Sequence, residues 1–338
     1  MIFRSFRFYI LSLICSVLSA QNNAPTVDNV SFTQRTDGSH IVDIYYDLND
    51  SDGDTMTVTI QASNNAGTTW DFTCEQIRGD VGENITSGTG KHIVWDFGAE
   101  HPATYNDQIR IKIIADDNQL VWGTVTDIDG NVYKTVKIGN QWWMAENLKV
   151  THYRNGEAIP NAIENTEWSF ISTGARCSYN NDNDNVATYG LLYNWYAVDD
   201  NRNIAPAGWH VPSNEEWKQL EMNLGMSQSD ADDNISWIRG KDEGGKMKSI
   251  GTIEGKDGLW FSPNNGATNE SGFSALPSGY RRDFDSAFYS IGFFGYWWSA
   301  TDSSSEFAWY RALSYDKSGI IYSDISKGFG LSIRCVKD

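Results

Sequence analysis

The sequence predicts two folded units of different class: an all-β sandwich of the immunoglobulin or fibronectin type III kind over residues 22–118, then an α+β domain over residues 119–338. Three observations carry this reading. From Val27 to Ala115 hydrophobicity alternates with a period of two. Near residue 118 the texture changes to dense Trp, Tyr, Gly and Asn. Beyond that point two helical patterns stand among many short strand candidates. With 338 residues, of which 40% are hydrophobic and 21% charged, the chain is long enough for two cores and too polar for a multispanning membrane protein.

Residues 1–20 read as a secretory signal. Arg4 and Arg7 precede the apolar run Phe8–Ile14, and Val17-Leu18-Ser19-Ala20 ends it before the polar Gln21-Asn22-Asn23. The run is too short to span a bilayer, and no later stretch reaches about 18 unbroken apolar residues. The expectation is an exported chain, whether secreted, periplasmic or on the outer cell surface, with no transmembrane segment after cleavage. Cys15 lacks the small preceding residue of a lipidation site. The formal charge of −18 becomes −20 once Arg4 and Arg7 leave with the signal, which argues against nucleic acid as a partner.

In the first unit Val42, Ile44, Tyr46 and Leu48 alternate with polar neighbours, as do Met56, Val58, Ile60 and Ala62. Asp37-Gly38 and Asp52-Gly53 supply turns, and Ile93-Val94-Trp95 and Ile109, Ile111, Ile113 add strands. In the second unit Asn131–Ile138, the turn Gly139-Asn140 and Gln141–Met144 make a hairpin. Tyr189, Leu192 and Tyr196 repeat at helical spacing across Thr188–Val198. A second helix opens at Ser213, whose capping box is completed by Glu216, buries Trp217, Leu220 and Leu224, and stops at Gly225. Later strands are expected at Phe273–Leu276, Tyr296–Ala300, Trp309–Tyr315, Ile320–Ser323 and Leu331–Val336.

Three cysteines remain after the signal, Cys74, Cys177 and Cys335, in a chain bound for an oxidising space. Cys177 and Cys335 share the second unit and each follows an Arg, so these two are expected to pair. Closing that loop stabilises a fold by about 5 kcal/mol on the chain-entropy model. Cys74 is then a buried thiol. The competing reading makes Cys177 and Cys335 reactive thiols.

The words Gly123–Gly130, Gln141–Leu148, Gly208–Ser213 and Tyr296–Thr301, with Gly328-Phe329-Gly330 and Ser332–Val336, resemble the Fibrobacter succinogenes major paralogous domain over residues 122–338. The resemblance implies a C-type-lectin-like fold related to formylglycine-generating enzymes, whose helix-opening motif is similar to Gly208–Trp217, and an exported bacterial protein. Val42–Leu48, Gly79–Gly82 and Lys91–Asp96 resemble the small β-domain that often precedes such modules.

That resemblance raises two chemistries. Formylglycine-generating enzymes use paired cysteines that bind copper(I); Cys335 instead matches the structural ending of the fold, which leaves Cys177 without a second thiol. C-type lectins grip sugars through Ca²⁺, but their Glu-Pro-Asn and Trp-Asn-Asp words are missing, and Trp297-Trp298-Ser299-Ala300 offers no carboxylate. The five histidines show no zinc spacing, and no Gly-x-Ser-x-Gly elbow occurs. Two acidic runs are candidates for Ca²⁺: Asp50, Asp52 and Asp54, and Asp182 with Asp184. The first departs from an EF-hand loop, having Gly53 at position four and Gln61 at position twelve. Ligand contacts are expected at Trp297, Trp298, Tyr280 and Arg281, with most of the Trp set in the core, because adjacent rings on a strand point to opposite faces. The functional expectation is a non-catalytic binding or adhesion module for an extracytoplasmic glycan or protein. An enzyme with an unrecognised site and a purely structural envelope component are the rival classes.

Overall fold

Alternating side chains need a sheet with one face covered, and the first unit supplies two such sheets. The computed structural model describes residues 22–117 and 119–338, so the signal expected over residues 1–20 lies outside the described residues. The division between two compact units falls between Gln119 and Leu120. The first unit holds β1 (Thr26–Gln34), β2 (Val42–Asn49), β3 (Met56–Ser63), β4 (Ile77–Gly79), β5 (Gly82–Ile85), β6 (Gly88–Trp95) and β7 (Arg110–Asp116). They form a sheet β1-β2-β6-β4 and a sheet β5-β3-β7, antiparallel throughout. Val42, Ile44, Tyr46 and Leu48 of β2, Met56 and Val58 of β3, Ile93 and Trp95 of β6 and Ile113 of β7 make one apolar cluster, in phase with the period of two. The single helical turn, Phe97–Glu100, lies where no helical pattern is expected; it is capped by Asp96, and Glu100 accepts from the Trp95 indole at 2.7 Å.

The second unit contains β8 (Trp122–Thr126), β9 (Val132–Ile138), β10 (Gln141–Met144), β11 (Arg176–Cys177), β12 (Leu192–Tyr193), β13 (Trp209–His210), β14 (Ile238–Arg239), β15 (Ser278–Arg281), β16 (Phe288–Ile291), β17 (Phe294–Asp302), β18 (Phe307–Ser314), β19 (Ile320–Ser326) and β20 (Val336–Lys337). One sheet runs β13-β20-β10-β9-β8 and another β14-β19-β18-β17. The hairpin registers Gln141 with Ile138 and Met144 with Thr135. The helix Asn214–Asn223 carries both bonds of its capping box and buries Trp217 and Leu220. Among the described residues no helix is long and apolar enough to cross a membrane.

Three expected elements differ. The helical repeat over Thr188–Val198 is broken: a helix Val186–Tyr189, strand β12 and a helix Trp195–Val198 replace it. Gly190, at φ +74°, ends the first piece, and a Cβ there would meet the Asn147 Cβ and the Leu148 carbonyl oxygen, each at 2.8 Å. Phe273–Leu276 is loop, touching Lys248 through one bridge at Ala275. Of Leu331–Val336, only Val336 joins a ladder; Leu331 and Ser332 make single bridges to Tyr193 and Trp297.

Two cores flank the same strands. Met144, Tyr133, Tyr193, Trp298, Ile333 and Cys335 belong to one cluster, and Trp143, Val136, Trp217, Phe273, Trp297 and Val336 to the other. Neighbouring residues on a strand therefore enter different cores, so Trp297 and Trp298 are both fully buried.

Candidate functional site

Strands β15 and β16 pair Tyr280 with Tyr289 and Arg281 with Phe288. The pleat sends Tyr280 and Arg281 to opposite sides. Arg281 turns inward and is fully buried. Its guanidinium packs over Trp168 and Phe288, at 4.5 and 4.9 Å to the ring centroids, and donates to the carbonyls of Ala162, Ile163 and Ser286. Tyr280 turns the other way, half-buried, and stacks on Tyr289 at 5.6 Å and on Phe329 at 5.7 Å, with an edge contact to Tyr296 at 5.1 Å.

The rings continue in both directions. Tyr296 meets Phe294 at 5.7 Å and Tyr310 at 5.8 Å, and Trp237, 57% exposed, adjoins the Tyr310 hydroxyl. At the other end the Arg282 guanidinium lies over Tyr289 and over Phe284, which is 70% exposed. Arg282 pairs bidentately with Asp285 and donates to the Tyr289 hydroxyl, which also bonds Asp285 at 2.9 Å. Hydrogen bonding from Arg282 holds the Asp285 carboxyl well below its usual range. The result is a track of aromatic rings with exposed residues, Trp237 and Phe284, at its two ends and a fixed ion pair beside the second.

The sequence-predicted residues are dispersed. Tyr280 sits in the track, whereas Arg281, Trp297 and Trp298 lie in the interior with their polar atoms used. The Trp297 indole donates to Asn147 Oδ1 at 2.9 Å and the Trp298 indole to the Tyr193 carbonyl at 2.8 Å. Burial therefore corrects those three as ligand contacts. Tyr289, Tyr296, Arg282, Asp285 and Trp237 were missed. Two tyrosines nine residues apart around an Arg-Asp turn were the only signal in the sequence.

The acidic runs fall in different units. Asp50 Oδ1 accepts from the backbone N–H groups of Asp52, Gly53 and Asp54 at 2.8–3.2 Å, an Asx cap on the turn. Asp52 takes the Asn23 backbone N–H at 2.6 Å, and Asp54 is half-buried. Asp182 caps the short turn by accepting from the Asp184 N–H, with both side chains exposed. Among the described residues no three His, Cys, Asp or Glu side chains are grouped to hold a metal ion.

The expected Cys177–Cys335 disulfide is overturned: both thiols are free. Cys177 packs with Ala162, Trp168, Ala175 and Leu192, whereas Cys335 packs with Tyr133, Met144 and Ile333 in another cluster. Each serves as a small apolar side chain. Burial pushes the Cys177 thiol up to about 11, against the pull of Arg281, and Cys335 well above its ordinary value. Separation therefore leaves two neutral, sealed thiols and no thiolate for copper or exchange. Cys74, also free, is only partly buried, and desolvation pushes it up to about 12.

The recurring words of the second unit turn out to be structural. Asp127 accepts from the N–H groups of Asp129 and Asn131 and from the Tyr133 hydroxyl, fixing the first turn. Asn147 gathers three words at one amide. Its Oδ1 accepts from Trp297 and, at 2.9 Å, from Arg334 Nε; its Nδ2 donates to the Tyr189 carbonyl and to Ser332 Oγ. His210 lies between Glu216 and Asp338, at 2.7 and 2.6 Å. The family model of the Fibrobacter succinogenes major domain matches residues 136–337, which hold every one of these words except the first turn. The chain belongs to that family. In this Fibrobacter succinogenes major domain the signature words hold the frame, and the aromatic track is built mostly from residues between them. No curated protein and no solved structure matches the chain.

Proposed function

We propose that the chain is an exported, non-catalytic binding module. A sandwich of immunoglobulin kind carries a C-type-lectin-like domain, and the aromatic track takes an extended extracytoplasmic glycan or protein segment. The track carries the reading. The faces of Tyr280, Tyr289, Phe294 and Tyr296 are partly open, contiguous and rimmed by the Arg282–Asp285 pair, and they rest on the buried rings of Tyr310 and Phe329, whereas Trp143, Trp168, Trp217, Trp260, Trp297 and Trp298 are core. Sugar C–H groups and peptide side chains both pack on such faces, and the ion pair supplies directional hydrogen bonds. An elongated row suits a chain rather than a compact molecule.

The signal layout and the charge of −20 after its removal support export and disfavour polyanions. The buried, neutral state of Cys177 and Cys335 supports the non-catalytic reading. A glycan and protein array tests it. Saturable hits that weaken about tenfold in Tyr289→Ala and in Trp237→Ala, as loss of one stacking contact and its buried area implies, are expected. An array without a saturable hit favours a purely structural envelope component, and turnover of a peptidyl cysteine or a glycoside by the purified protein makes it an enzyme.

A further inference from the structure

The chemistry along the track narrows what can lie on it. The charge of the Arg282–Asp285 pair is cancelled within the pair. Asp285 Oδ1 accepts from Arg282 Nε at 2.9 Å and from the Ala287 N–H at 3.1 Å, and Oδ2 takes Arg282 Nη2 and the Tyr289 hydroxyl. With about four acceptor sites on a carboxylate, Asp285 has none left for a ligand. Arg282 keeps donors free, since among the described residues nothing bonds its Nη1. Further along, the side chains acting on the Tyr296 hydroxyl are Tyr310, Tyr280 and Ser290, all uncharged at neutral pH. The backbone beside the rings is closed as well. Beyond β15, Arg281 and Gly330 exchange both N–H···O bonds, at 2.9 and 2.8 Å; beyond β17, Ser332 donates to the Tyr296 carbonyl at 3.1 Å and accepts from the Trp298 N–H at 3.2 Å. On these two strands the edge that an extended peptide needs for a new ladder is therefore taken.

We infer that the track takes an uncharged glycan of equatorially linked pyranose units. Its C–H faces lie on Tyr280, Tyr289, Phe294 and Tyr296, and a hydroxyl oxygen accepts from Arg282 Nη1. The inference rests on the reading of the track as a binding surface and selects among the ligands that reading admits. Equatorial linkage keeps the C–H face of successive units flat and continuous, the surface that an aromatic face receives. A uronate chain meets the Asp285 charge as closely as the Arg282 charge and gains little from the pair. A peptide leaves its amides without backbone partners along β15 and β17. A sugar hydroxyl needs neither charge nor ladder, being donor and acceptor at once.

The test is isothermal titration of the full mature chain with the β-1,4-linked neutral sugars cellohexaose, xylohexaose and mannohexaose. The comparators are a β-1,4-linked hexaglucuronate, the axially linked maltohexaose and a proline-rich peptide. Saturable binding of at least one β-1,4-linked neutral sugar is expected, with each comparator weaker by at least about tenfold. Tyr289→Ala and Phe294→Ala should each weaken that binding about tenfold, the loss of one ring contact, with an unchanged thermal midpoint as the check on the fold. Asp285→Asn leaves the guanidinium uncompensated and should raise hexaglucuronate affinity about tenfold, a gain that unfolding cannot produce. A comparator that binds more tightly than every β-1,4-linked neutral sugar, and loses that binding in Tyr289→Ala, would overturn this inference while leaving the track a binding surface. No heat with any neutral sugar at about 5 mM, indifference to both ring removals, or no gain in Asp285→Asn would overturn it too. If the glycan and protein array is also blank, the binding reading falls with it.

Discussion

The two units solve the same problem, satisfying buried backbone, by different means. In the first, ladders of up to seven residue pairs satisfy the backbone with itself, and the core cluster is apolar; no Arg or Lys of its described residues is buried. Its cations stay outside, as where Asp43 bridges Arg35 and His92. In the second, eight of the thirteen strands have only two to four residues, and they and the long loops leave carbonyls with no ladder partner, so cationic side chains go in to meet them. Arg281, Arg334 and Lys248 are fully buried and donate mainly to backbone oxygens, while Arg239 and Arg311 share the buried carboxylate of Glu221. A loop-rich fold is rigid when side chains supply the donors that strands otherwise supply.

The contrast is open to experiment, most strongly at Glu221. Glu221→Ala leaves two buried guanidiniums without their counter-charge and should cost the second unit about 3–5 kcal/mol in urea unfolding. A triple replacement of Glu221, Arg239 and Arg311 by Leu, Met and Met should recover most of that, because the triad's desolvation penalty goes with it. In the first unit the matching break is Ile44→Ala, which opens a cavity between the sheets and should cost about 2–5 kcal/mol. Lys248→Met strands three carbonyls and should cost about 1–3 kcal/mol, with the second unit's transition moving and the first unit's staying put.

Acid and base should separate the units more gently. Hydrogen bonding from Arg35, then from His92, lowers the Asp43 carboxyl to about 2. Its contribution is present above the ordinary carboxyl value near 3.8 and is lost as pH falls through about 2, a limb that Asp43→Asn should remove. In the second unit burial pulls His210 down, but hydrogen bonds to Asp338 and Glu216 outweigh it and raise the group. That contribution is complete below 6.5 and fades as pH rises through the raised value. His210→Gln should flatten the slope, by less than about 1 kcal/mol at this partly exposed site. Smallest of all, a thiol-specific label should leave Cys177 and Cys335 untouched in the native chain and mark both after unfolding.

Where one face of an element is wet, the sequence is readable. The β2 and β3 alternation, the Gly139-Asn140 hairpin and the Ser213 capping box each state a local rule that the fold obeys. Where both faces are dry, local rules fail. Trp297 and Trp298 enter two cores, so alternation carries no information about which ring meets ligand. Tyr189, Leu192 and Tyr196 keep helical spacing, yet Gly190 packs too close to Asn147 for the helix to continue. The cysteines misled for a related reason: a small apolar residue beside a buried cation and half of a crosslink look alike in one dimension. The track was half visible, since Tyr280 was identified and its partners across β16 and β17 required the register.

The ammonium of Lys248 has three oxygens around it, from Asn265, Ser314 and Lys317, at 2.8–2.9 Å. That is the kind of nest in which a dissolved potassium ion sits, except that here the ion is tethered to the polymer. A tethered ion cannot be diluted away or exchanged for sodium. The joint that Lys248 makes between the Asn265 loop, the end of β18 and the turn that follows it should therefore keep its strength from fresh water to brine.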